Sequence, residues 1–100
     1  MRLKQNEIEA IKEVTKEIFG ESANIRLFGS RTNDTLKGGD IDLLILCNRM
    51  ISSSEKYQLK IKFLVQLKKI LGDQKIDILI EENQQQSFFL QTLKNEAILL

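Results

Sequence analysis

Apolar residues recur at helical spacing over residues 5–19, where Ile8, Ile11, Val14 or Thr15, and Ile18 are separated by Glu and Lys. This spacing predicts a first helix, with Asn6 as its N-cap and Gly20 as its C-cap. Residues 24–28, Asn-Ile-Arg-Leu-Phe, switch to a period of two and predict a short strand running straight into Gly29-Ser30. Residues 31–39, Arg-Thr-Asn-Asp-Thr-Leu-Lys-Gly-Gly, form a loop by composition. The most strand-like run follows at residues 40–47, Asp-Ile-Asp-Leu-Leu-Ile-Leu-Cys. Ser52-Ser53-Ser54-Glu55 then opens a second helix. That helix is predicted to reach about Leu71, with Ile61, Leu64, Val65, Leu67 and Ile70 or Leu71 turned inward, and to stop at Gly72-Asp73. Residues 75–81 predict a third strand. From about Gln84 to Ala97 a last helix presents Phe89, Leu93 and Ala97 at four-residue spacing. No internal repeat and no linker interrupts this order.

The order is α-β-loop-β-α-β-α, and strand parity adds a constraint, because alternate side chains point to opposite faces. Ile41, Leu43, Ile45 and Cys47 share one face of the second strand, Ile76, Ile78 and Ile80 one face of the third, and Ile25 and Leu27 one face of the first. These sets predict an α/β fold with a small mixed sheet covered mainly on one face by helices. The opposite faces carry Asp40 and Asp42 on one strand and Asp77 on another.

Composition narrows the class. One hundred residues suit one domain spanning residues 1–100, and 42% hydrophobic content with a net charge of +1 opposes disorder. No apolar run approaches the roughly 20 residues needed to span a bilayer, and the polar start lacks a signal-peptide core. A cytoplasmic protein is the expectation. A single cysteine, Cys47, on the apolar strand face reads as core and forbids an internal disulfide. There is no histidine, so any catalysis must use carboxylates, hydroxyls, Lys, Arg or Tyr, and any metal should be hard and oxygen-loving, such as Mg²⁺. Charge is uneven. Residues 56–75 hold six lysines against Asp73, and residues 76–100 hold Lys94 against Asp77, Glu81, Glu82 and Glu96. The basic stretch reads as the solvated side of an amphipathic helix.

The carboxylates carry the chemistry. Asp40 and Asp42 lie on one face of one strand, about 7 Å apart along it. Asp77 can approach from a neighbouring strand. Three such groups repel one another unless a divalent cation sits among them. Together they suit a two-metal phosphoryl or nucleotidyl transfer site. Gly29 after a strand lets backbone N–H groups approach phosphate oxygens, and the Ser30 hydroxyl can donate to the same phosphate. Arg31 could neutralise further negative charge or be a solvated loop cation, and the same holds for Lys37.

Gly29-Ser30-Arg31, a loop, and then Gly39-Asp40-Ile41-Asp42-Leu43 resemble the signature of the nucleotidyltransferase superfamily that includes DNA polymerase beta. Asp77, in Lys75-Ile76-Asp77-Ile78-Leu79-Ile80, sits where that superfamily places its third carboxylate. Gly39 stands where the family often has Ser. The short chain is similar to the minimal nucleotidyltransferases paired with HEPN-domain toxins. The resemblance implies Mg²⁺-dependent transfer of NMP, expected to be AMP from ATP, to a hydroxyl. It implies that Asp40 and Asp42 hold both metals, that Asp77 holds the catalytic metal and assists deprotonation, and that Gly29 and Ser30, with Arg31, hold the triphosphate. The implied acceptor is a tyrosine of a HEPN toxin, with this chain as antitoxin, in a homodimer or hetero-oligomer, and with neither nucleic acid nor membrane as partner. The alternative is an antitoxin that neutralises its partner by binding alone.

Overall fold

The computed structural model describes residues 3–28, 41–72, 74–82, 91–92 and 95–100. The first apolar repeat folds as helix α1 (Gln5–Phe19), with Ile11, Val14, Thr15 and Phe19 buried. Asn6 is not its cap, because the helix has already begun at Gln5 and Lys4 holds the capping position. The Glu7 carboxylate does the work instead. It accepts the Lys4 backbone N–H at 2.9 Å, satisfying a donor that the first turn leaves unpaired, and accepts Gln74 Nε2 at 3.1 Å. One side chain thus ties the start of α1 to the segment before the third strand. At the other end, Gly20 takes φ 91°, a left-handed value that suits glycine, and its N–H bonds to the Lys16 carbonyl.

Strands β1 (Asn24–Phe28), β2 (Ile41–Cys47), β3 (Ile76–Glu82) and β4 (Ile98–Leu99) form one mixed sheet in the order β3-β2-β1-β4. β1 is antiparallel to β2 and β4, whereas β2 and β3 are parallel. A parallel pair needs a crossover, and helix α2 (Ser53–Leu71) supplies it. The Ser52-Ser53-Ser54-Glu55 run opens α2 as expected, and Ser52 caps it, its hydroxyl accepting the Glu55 N–H at 3.2 Å. The expected alternation also holds: Ile25, Leu27, Ile41, Leu43, Ile45, Cys47, Ile76, Ile78 and Ile80 all join the core beneath α1 and α2. Phe19 and Phe63 meet at its centre, ring centroids 5.8 Å apart and tilted by 56°.

Three details differ from expectation. α2 buries Phe63 and Leu67, with Leu59, Leu64 and Leu71 beside them, while Ile61, Val65 and Ile70 are exposed. The helix is apolar on more than one side, and docking against Phe19 selects the face bearing Phe63. The sheet's second face is not open throughout, because Leu44 and Leu46 are fully buried there, with Phe28 and Leu79 against them. Last, residues 91–92 and 95–96 are helical as expected, but the chain then adds β4 beside β1, too short to leave a periodic signal. The remainder of the predicted final helix lies outside the described residues. Among the described residues, no helix is long and apolar enough to cross a membrane.

Candidate active site

Asp42 and Asp77 are register partners in the parallel β2–β3 ladder. Both strands turn their isoleucines and Leu43 into the helix-covered core, so both carboxylates project from the opposite face. Neighbouring strands are about 4.8 Å apart, which sets the spacing of the two backbones at this row. A slip of one residue would drive Asp42 into the core, so burial of Ile41 and Leu43 fixes the pair. Asp42 is half-buried and Asp77 exposed. Across the sheet, Phe28 is the partner of Asp42 on β1. Phe28, Asp42 and Asp77 therefore form one row over three strands.

Phe28 is the last residue of β1, and β2 starts at Ile41. The chain thus leaves β1 toward Gly29 at the level of Asp42, and enters β2 immediately after Asp40. Gly29, Ser30, Arg31, Lys37 and Asp40 themselves lie outside the described residues. Phe28 as a wall of this row was not singled out by the sequence, although its place just before Gly29 was the available signal.

Charge singles out Asp77 on its strand. Glu81, two strand repeats further on, is paired with Lys56 of α2 at 3.7 Å, and Glu82 accepts the Ile51 N–H at 3.1 Å. No described cation lies within ion-pair distance of Asp77. Two adjacent carboxylates suit a hard divalent cation, whose oxygen ligands they would supply. Among the described residues they are two rather than a cluster of three. A recess of about 680 Å³ lies elsewhere, between α1 and the β1–β4 edge, and its lining includes Lys12, Lys16, Asn24 and Leu99 but neither Asp. Paired carboxylates outweigh recess size here, because they are the groups that can do phosphoryl chemistry. Cys47 takes no part: it is 3% exposed, and burial pushes its thiol up.

The sequence model of the nucleotidyltransferase domain family matches residues 8–100. The chain belongs to that family. Nucleotidyltransferase domains generally use a nucleoside triphosphate and a divalent metal, and the general activity of this one is nucleotidyl transfer. Its fold is similar to that of a nucleotidyltransferase candidate from Sulfolobus solfataricus, whose crystal structure superposes with a TM-score of 0.53 over 99% of this chain and 89% of that one, at 18% identity. No curated relative matches the chain. In this nucleotidyltransferase domain the Asp42–Asp77 row is the part of the described surface that fits the family's chemistry.

Proposed function

We propose that this domain transfers AMP from Mg²⁺-ATP to a hydroxyl, a tyrosine on a HEPN-type partner protein, and acts as that protein's antitoxin. The observation that supports it is the in-register pairing of Asp42 with Asp77 at the row where β1 ends. Asp40, Asp42 and Asp77 would hold divalent metal, which when bound neutralises phosphate charge and lowers the pKa of a coordinated hydroxyl. The backbone at Gly29 and the Ser30 hydroxyl bind triphosphate oxygens, and Arg31 adds positive charge. Asp77, exposed at the sheet margin, takes the acceptor proton. The acceptor oxygen bonds to the α-phosphorus, the bond from that phosphorus to the α–β bridging oxygen breaks, and pyrophosphate leaves. The product is an AMP phosphodiester on the partner, a bulky anionic group able to block a nucleic-acid surface by charge and volume.

The partner-borne acceptor is supported by the resemblance to minimal nucleotidyltransferases. Incubation with the HEPN-type partner, ATP and Mg²⁺ should add one or more AMP masses to a partner tyrosine. Asp40→Ala with Asp42→Ala should abolish the addition while the complex still forms. An unmodified partner, under conditions where Mg²⁺-ATP binds, would transfer the reading to neutralisation by contact.

A further inference from the structure

Within the described residues the sheet ends at β3. Ile41 pairs with Ile76 and donates its N–H to the Lys75 carbonyl at 3.0 Å. This register turns the backbone groups of Asp77, Leu79 and Glu81 toward β2, because a parallel ladder uses alternate residues. The N–H and C=O groups of Ile76, Ile78 and Ile80 therefore point to the outer edge. No described group bonds them there. A groove of about 180 Å³ follows this edge, lined by Lys56, Tyr57 and Lys60 of α2 and residues 78–81 of β3. Tyr57 is 67% exposed. Lys56 reaches Glu81, whereas Lys60 has no carboxylate partner among the described residues.

We propose that the outer edge of β3 takes an extended, acidic, hydroxyl-bearing segment of a partner protein as an added strand. The inference rests on the nucleotidyl-transfer reading for the fate of the hydroxyl, but not for the docking. Main-chain bonds to Ile78 and Ile80 supply affinity, and alternate side chains supply selection. Those on the helix side meet Lys56, Tyr57 and Lys60, so carboxylates fit there. Those on the other side continue the row of Phe28, Asp42 and Asp77. A residue in register with Asp77 sits one strand spacing away, about 4.8 Å between backbones, which places its hydroxyl beside the carboxylate that accepts its proton. A second copy of this chain fits less well. A two-fold axis through two joined β3 edges leaves both helix layers on one face, so the two Lys60 side chains, neither with a described carboxylate partner, would lie on the same side of the joint.

The test uses an eight-residue peptide alternating glutamate with threonine, one central threonine replaced by tyrosine. Amide hydrogen exchange is followed by NMR with and without it, beside the melting shift produced by Mg²⁺ and a non-hydrolysable ATP analogue. The peptide should slow exchange at Ile78 and Ile80 at least about tenfold, leaving Leu79, already bonded to β2, nearly unchanged. Lys60→Glu should weaken peptide binding about tenfold, and lysine in place of glutamate in the peptide should do the same. Equal binding of a peptide N-methylated at alternate residues would overturn the strand-addition geometry. Protection of Ile78 and Ile80 that rises with protein concentration alone would make a second copy the occupant and overturn the proposal. A chain that binds Mg²⁺-nucleotide but leaves the β3 edge unprotected overturns the docking and spares the transfer reading. Edge protection without any nucleotide shift does the reverse.

Discussion

Replacing Asp42 by asparagine keeps the shape of the side chain and removes one charge from the Asp42–Asp77 row. At about 5 Å in a largely aqueous setting, two unit charges interact by under about 1 kcal/mol, so relief of this repulsion should change the stability of the ligand-free protein by no more than about that amount. Ligand is a larger lever. A saturating ligand at a hundred times its Kd stabilises the native state by about 2.7 kcal/mol, and each kcal/mol moves the Tm of a chain this size by about 4–8 °C. Mg²⁺ with a non-hydrolysable ATP analogue should therefore raise Tm by roughly 10–20 °C in the unaltered protein. Asp42→Asn should remove most of this rise, because Asp42 is assigned to both metals. Asp77→Asn should keep most of it yet lower the transfer rate at least about a thousandfold, because Asp77 is assigned to the acceptor side. Differential scanning fluorimetry and a single-turnover transfer assay separate the two. A full nucleotide shift in Asp42→Asn refutes the metal assignment. A transfer rate left intact in Asp77→Asn refutes the proton-acceptor role.

Ser30→Ala should weaken nucleotide binding roughly ten- to hundredfold, the loss of a hydrogen bond to a charged phosphate costing about 1.5–3 kcal/mol, and titration calorimetry beside a ligand-free melt would expose a purely structural Ser30. Phe63→Ala deletes a fully buried ring packed on Phe19 and should cost about 3–5 kcal/mol, whereas Ile61→Ala, on the exposed side of the same helix, should cost under about 1 kcal/mol in denaturant unfolding; equal costs would contradict the assigned face of α2. Cys47 should react with iodoacetamide at least about tenfold more slowly in the native than in the urea-unfolded protein. Its raised thiol pKa means that the unfolded chain ionises first, so the stability this thiol contributes should be whole below about pH 8.5 and decline as pH rises beyond it, an effect absent from Cys47→Ala.

The features legible in the sequence are those fixed by local chemistry. Gly20 and Gly72 end the two long helices at positive φ, Ser52 caps α2, and the alternation of Ile41, Leu43, Ile45 and Cys47 determines which way Asp42 points. The same parity applied to Ile76 and Ile78 puts Asp77 on the shared face. What was not legible depends on partners distant along the chain. α2 carries Ile61, Val65 and Ile70 as well as Phe63 and Leu67, so its own periodicity cannot say which side docks. The start of α1 reads as an Asn6 cap only until Glu7 is seen to accept both Lys4 and Gln74, a residue 67 positions away. Two residues of β4 are too few to show a period.

The second face of β2 gives the strongest reason to read Asp42 as functional. Leu44 and Leu46, two and four residues further along the same face, are fully buried. An apolar residue at position 42 would extend that cluster, with Phe28 already across from it on β1. Full burial of a leucine is worth about 1.5–3 kcal/mol, and a half-buried site would return about half of that. A carboxylate there forgoes the gain and adds repulsion from Asp77 one strand away. Apolar burial alone thus favours leucine at this position, and the alternation of β2 would accept it without change of register. The polar residue stands at the end of β2 level with the exit of β1 toward Gly29-Ser30, and its neighbour on β3 is a second carboxylate with no described cation beside it. The proposed metal binding would give that charge a use that apolar packing does not.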